Sequence, residues 1–143
     1  MGISPSTKLE VKHGNTPDES RPFAAHGHAE IHKIGTGTVM RAVFEPGWKW
    51  SKDIAPLAGT KSCQAAHLGY AISGRMRIRM DDGTEQEVGP GDFFRITPGH
   101  DAWVVGSEAC IMLDFGGYGD YAKATVSPGR GEERGVSTER ERR

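Results

Sequence analysis

The feature that most constrains this chain is a succession of short apolar runs, rich in Val, Ile, Phe, Met and Tyr, cut at close intervals by Gly, Pro and Asp. No long stretch keeps a 3.6-residue period, so the pattern predicts an all-β sandwich or barrel rather than packed helices. Strands are expected at 30–34, 38–44, 64–73, 75–80, 85–88, 92–96, 101–105 and 109–115. The clearest is Arg75-Met76-Arg77-Ile78-Arg79-Met80. Its strict alternation turns Met76, Ile78 and Met80 toward a core and the three arginines toward water. Asp81-Asp82-Gly83 then closes a hairpin. Gly89-Pro90-Gly91-Asp92 makes a second turn, where Pro fixes φ and Gly supplies φ > 0.

The two ends read differently. Residues 1–20 are polar and carry Pro5, Gly14, Asn15 and Pro17, so they are expected to wrap the surface or fray. Residues 126–143 alternate in charge and hold almost no aliphatic side chains, so apolar burial would not offset the entropy of ordering them. One domain, 21–125, is left between. The 143 residues suit one core and one site. Eighteen Lys and Arg against 19 Asp and Glu leave no basic excess for a phosphate backbone, so nucleic acid is not an expected partner. No apolar run approaches the roughly 20 residues that span a bilayer, and no apolar stretch marks a signal peptide, so a cytoplasmic location is expected. Cys63 and Cys110 make no disulfide framework and are expected as free thiols, with Cys110 in the core.

The succession of an SGR turn, a DDG hairpin, a GPGD turn and a TPG turn between strands resembles the core of a cupin, over roughly residues 39–115. That resemblance implies a double-stranded β-helix, or jelly-roll, barrel in a single domain. The second cupin motif fits in register from Gly91 through Thr97-Pro98-Gly99, but Ala102 stands at its histidine and Gly106 at its asparagine. Registering the first motif on Gly74 places Lys61 and Cys63 at its two histidines and His67 at its glutamate. With no bulge, a two-residue period puts Lys61, Cys63 and His67 on one face, which family analogy makes the barrel interior. His100, in the turn before Ala102, is placed to substitute for the missing histidine. Cys63, His67 and His100 then form the expected metal set. One thiolate and two imidazoles suit zinc, with iron or manganese as alternatives. His67 and His100 are also the candidate acid/base groups, with Asp101 orienting His100.

Trp48, Trp50, Trp103 and Tyr70 are candidates to line the ligand cavity. An inward Lys61 would bind a substrate carboxylate or pair with an acidic side chain. His26, His28 and His32 offer a reserve site on a strand face. The reading is a metal-dependent enzyme acting on a small organic molecule, such as an organic acid or a sugar-like compound, as a lyase, isomerase or hydrolase. The alternatives are a metal-free ligand-binding or sensing cupin, a metal-free isomerase and a cupin dioxygenase. By analogy with small cupins a homodimer is expected, with residues 30–34 at its interface.

Overall fold

The computed structural model describes residues 8–116, 119 and 121–123. The strands among them are β1 (Glu19–Pro22), β2 (Gly27–Ile34), β3 (Gly37–Phe44), β4 (His67–Ser73), β5 (Arg75–Met80), β6 (Glu85–Val88), β7 (Phe93–Ile96), β8 (His100–Val105) and β9 (Cys110–Asp114). Two single-turn helices, α1 (Trp50–Asp53) and α2 (Ala55–Ala58), lie between β3 and β4. A six-stranded sheet in the order β1-β2-β3-β9-β4-β7 faces a three-stranded sheet in the order β6-β5-β8, and all pairings are antiparallel. This is the expected all-β double-sheet architecture.

Alternation explains which side chains fill the space between the sheets. In β5, Met76 and Ile78 are buried while Arg75 and Arg79 are exposed. In β3, Met40, Ala42 and Phe44 point inward, and in β9 Cys110, Met112 and Asp114 do so. The opposite face of the larger sheet leaves Leu68, Ile72 and Phe93 exposed.

Three Pro-Gly pairs turn the chain, at Glu45–Trp48, Gly89–Asp92 and Thr97–His100. Gly47, Gly91 and Gly99 take φ of 94°, 88° and 95°, a conformation that L side chains rarely adopt. In the first two turns the chain closes with Trp48 N–H to Glu45 O at 3.0 Å and Asp92 N–H to Gly89 O at 3.0 Å. Two of the residues that leave these turns, Trp48 and His100, are buried between the sheets.

The expected strand 64–73 begins three residues later, at His67. Cys63 does not join the larger sheet. It forms an isolated bridge with His100 of β8, so the alternation assumed from 61 to 67 is broken. At the N-terminal end, β1 begins inside the stretch expected to fray. Arg21 in that strand is 7 % exposed and donates to the carbonyls of Gly119 (2.9 Å) and Tyr121 (3.0 Å) while Glu19 accepts from its Nε (2.8 Å). The expected tail, 126–143, lies outside the described residues. The two helical turns were not foreseen, because a four-residue helix is too short to show a period.

Gly69 on β4 allows β9 and β7 to approach. A Cβ added there would stand 2.1 Å from Leu113 O and 2.6 Å from a ring carbon of Phe94. Because the nearer atom is backbone in a paired strand, no side-chain rotation relieves the clash. Gly69→Ala is therefore expected to destabilise the fold by about 2 kcal/mol or more, read as a lower urea midpoint. An unchanged midpoint would show that the β4 and β9 backbones are not held this closely.

Candidate functional site

Cys63, His67 and His100 come from three different places in the chain and meet at one point. Their ligand atoms all lie within 4.8 Å of one another. Cys63 is brought there by its bridge to β8: Cys63 N–H donates to His100 O (2.7 Å) and Gly99 N–H donates to Cys63 O (2.7 Å). His67 is the first residue of β4 and faces inward opposite Ile96 of β7. His100 leaves the Thr97–His100 turn at the start of β8. The three are 2 %, 9 % and 3 % exposed, so whatever they bind is largely removed from water.

Each imidazole is held by a second bond. His67 Nδ1 lies 2.5 Å from Asp114 Oδ2, and Asp114 is itself buried in β9, with Gly116 N–H donating to its Oδ1 at 3.2 Å. The Asp114 carboxylate accepts from Nδ1, which leaves Nε2 for another partner. That Nε2 faces Cys63 Sγ at 3.7 Å. His100 Nδ1 donates to Thr97 O at 2.9 Å, which likewise leaves Nε2 with its lone pair. This is the arrangement in which histidines ligate metals, with the far nitrogen fixed by a carboxylate or a carbonyl. The edge between Cys63 Sγ and His67 Nε2 also matches the roughly 3.6 Å expected between a thiolate and an imidazole sharing a tetrahedral zinc. Burial pushes the Cys63 thiol up to about 11, partly offset by the Ala65 backbone N–H. A thiol so raised ionises near neutral pH only when a divalent ion binds it.

His67, His100 and Asp114 contribute polar groups to the lining of a cavity that opens to solvent. The rest of the lining is apolar, with Met40, Phe44, Met76, Ile78, Ile96 and Met112 prominent. Trp48 and Trp50 also line it, each 2 % exposed, and their indole Nε1 atoms have no hydrogen-bond partner among the described residues. A buried donor left unpaired costs about 1–3 kcal/mol. Tyr121 completes the lining, its ring edge-on to His67 at 5.3 Å between centroids. Burial, with Asp114 adding to it, holds the Tyr121 phenol well above its ordinary value and so neutral.

No family model matches the chain, and no curated protein matches it. Solved structures do resemble it in fold. The polyketide cyclase RemF from Streptomyces resistomycificus superposes with a TM-score of 0.53 at 19% identity, over 74% of this chain and 77% of that one. Ectoine synthase from P. lautus gives 0.53 at 14% identity, over 76% and 78% of the two chains. An RmlC-like cupin from Shewanella frigidimarina gives 0.50 at 13% identity, over 76% and 91%. The fold is that of a cupin.

Within this cupin barrel the residues singled out from the sequence separate into two groups. His67, His100, Trp48 and Trp50 line the cavity, and Cys63 is buried beside the two histidines. Lys61 does not, because the Cys63–His100 bridge replaces the expected strand and leaves Lys61 exposed. Tyr70 lies on the outer face of β4, its ring 4.8 Å from Phe93. Trp103 also faces outward, beneath Lys49 and Arg79 at 5.4 and 5.7 Å. Asp101 does not orient His100. Its Oδ1 accepts the backbone N–H groups of Ser51 (3.0 Å) and Ala102 (2.9 Å), fixing the first turn of α1 to β8. His26 pairs with buried Asp53, whereas His28 and His32 flank Glu30 on β2, so these three histidines do not converge. Cys110 is fully buried in the core.

Asp114 and Tyr121 were not foreseen. Asp114 had a readable signal, an acidic residue inside the apolar run Cys110-Ile111-Met112-Leu113, at a position whose parity matches buried Cys110 and Met112. Tyr121 had none, because Arg21, 100 residues earlier, is what fixes its backbone.

Burial lowers the His100 imidazole below its ordinary value, with the neighbouring His67 adding to the effect and the Thr97 carbonyl opposing it. As pH falls below about 6.5 the unfolded chain takes up a proton at this residue before the native state does. Its contribution to stability is thus complete above that pH and is lost as pH drops toward the depressed native value. Urea midpoints of metal-free protein, taken near pH 7.5 and pH 5, should fall further for the wild type than for His100→Gln. Equal falls would mean that His100 is not held neutral.

Proposed function

We propose that this protein is a metal-dependent cupin enzyme acting on a small organic molecule, with Cys63, His67 and His100 holding one divalent ion, zinc by preference. The observation that carries this reading is the convergence of three buried donors, Cys63 with His67 and His100, the two imidazoles being oriented by Asp114 and Thr97 and lining a largely apolar cavity. When bound, such an ion supplies Lewis acidity toward a carbonyl or hydroxyl oxygen. The protein's own part is positional. Asp114 keeps His67 in one tautomer and one ring orientation, and the Thr97 carbonyl does the same for His100. The apolar walls exclude bulk water, which strengthens every charge interaction inside.

The donor set favours a lyase, isomerase or hydrolase over a dioxygenase, because a thiolate with two imidazoles suits zinc better than non-haem iron. A substrate carboxylate held by Lys61 is no longer part of the reading, since Lys61 is exposed. A second reading is a metal-free ligand-binding cupin, favoured by the largely apolar lining of the cavity.

Elemental analysis of protein purified without a histidine tag separates the two. The metal-dependent reading requires about one zinc per chain in the wild type and in the exposed control His13→Ala, and loss of most of it in His67→Ala. Cobalt substitution adds a direct view of Cys63, because a thiolate ligand gives a charge-transfer band that should vanish in Cys63→Ser. Equal metal content in wild type, His67→Ala and the control, or no metal in any of them, would remove the metal site and leave the binding reading.

A further inference from the structure

The strand registers sort the cavity lining into levels. Met40, Asp114 and Gly69 are paired neighbours across β3, β9 and β4. His67 stands one inward position before Gly69, and its ring is 5.3 Å from that of His100. The donors thus share one end of the interior. One inward position further along the strands, Ala42 is paired with Met112 and Ile78 with Ala102. The next brings Phe44 beside Cys110 and Met76 beside Val104. Each step of two residues advances about 7 Å. On these two levels the residues that line the cavity are all apolar: Ala42, Met112, Ile78, Ala102, Phe44 and Met76.

The nearer of these levels is also where room is left. Ala102 stands where the second cupin motif has its histidine, and the imidazole of the donor cluster comes instead from His100, one inward position earlier on β8. That shift moves the cluster toward the start of the strand and leaves a methyl group where an imidazole would fill the interior. Ala42 faces inward from β3 beside Met112. Methionine has three rotatable bonds, so Met112 and Met76 can repack around an occupant.

We propose that the cavity takes an amphipathic molecule, with one oxygen-bearing head at Cys63, His67 and His100 and an apolar body lying over Ala42 and Ala102 against Met112 and Met76. This names the substrate class of the site proposed above. The head rests on that reading, and the body rests on the lining alone. A carboxylate, a carbonyl or a hydroxyl suits the head, since each offers a lone pair to a divalent ion. A polyhydroxylated body does not suit the rest, because hydroxyls set against methionine, isoleucine and phenylalanine lose their hydration without gaining partners.

Three probes with one metal-binding head test it: acetohydroxamate, hexanohydroxamate, and gluconohydroxamate, which carries hydroxyls on the same six-carbon chain. Each is titrated into metal-free and zinc-treated protein whose methionine methyls are labelled with carbon-13. Hexanohydroxamate should bind at least about tenfold more tightly than either of the others, a modest share of the roughly fourfold per methylene that full burial gives. It should shift the methyls of Met76 and Met112, which acetohydroxamate should leave in place. Met76→Leu and Met112→Leu assign these resonances. Ala102→Leu, which fills the nearer apolar level, should remove most of the long chain's advantage and leave acetohydroxamate affinity within about twofold. If that variant fails to fold, the wild-type comparison of the three compounds still decides.

Equal affinity for the short and long chains, gluconohydroxamate binding as tightly as hexanohydroxamate, shifts that leave out Met76 and Met112, or no response to any probe would each overturn the proposal. The metal reading fails separately. A chain-length preference that is the same with and without zinc would keep the place of the body and sink only the ion at the head.

Discussion

The backbone bridge between Cys63 and His100 is the interaction on which the rest of the site depends. Cys63 belongs to the approach of β4, a strand of the larger sheet, whereas His100 opens β8 in the smaller one. The hydrogen bonds of 2.7 Å that Cys63 makes to His100 O and from Gly99 N–H therefore join the two sheets at one end of the barrel. They also bring a thiol beside an imidazole from a residue 37 positions away. With Cys63 committed to this pairing, residues 64–66 lie outside the ladder, and His67 enters β4 facing the same interior.

The polar groups inside the barrel are few and each imidazole has its own anchor. Asp114 is buried but engaged, by His67, by the backbone N–H of Gly116 after β9 and by that of Leu68 in β4. A carboxylate so placed is costly unless it is satisfied, and the neighbouring imidazole and amides meet that condition. With Nδ1 of each imidazole engaged, the Nε2 atoms of His67 and His100 are left for a further partner. Both histidines border a space whose other walls are mainly hydrocarbon. Such a space suits a ligand that is mainly apolar and carries a few polar atoms in fixed positions.

Much of the scaffold was readable because its signals are local. The alternation in 75–80 and the DDG turn gave β5 and its hairpin at the observed bounds, and the Pro-Gly pairs gave the turns. The cupin resemblance led to Cys63 and His67, and the position of His100 two residues before Ala102 on β8 leaves both on the inward face. The misplacements have two causes: alternation extended across a segment that is not a strand, and aromatics grouped by type against the alternation of their own strands. Lys61 was turned inward by counting in twos from His67, through residues whose pairing lies in the other sheet. Tyr70 and Trp103 were grouped with the cavity as aromatics, although Tyr70 alternates away from His67 and Trp103 away from His100 within their own strands.

The sequence by itself determined the strand alternation, the tight turns and the chemical types available to a site, because backbone sterics and side-chain periodicity act over a few residues. Only the tertiary structure decided which of those groups meet. The Cys63–His100 bridge, the Asp114–His67 bond across β4 and β9, and the Arg21 contact that fixes the backbone of Tyr121 all join residues 37 to 100 positions apart. No local pattern encodes such pairings, since they arise from how two sheets close on one core.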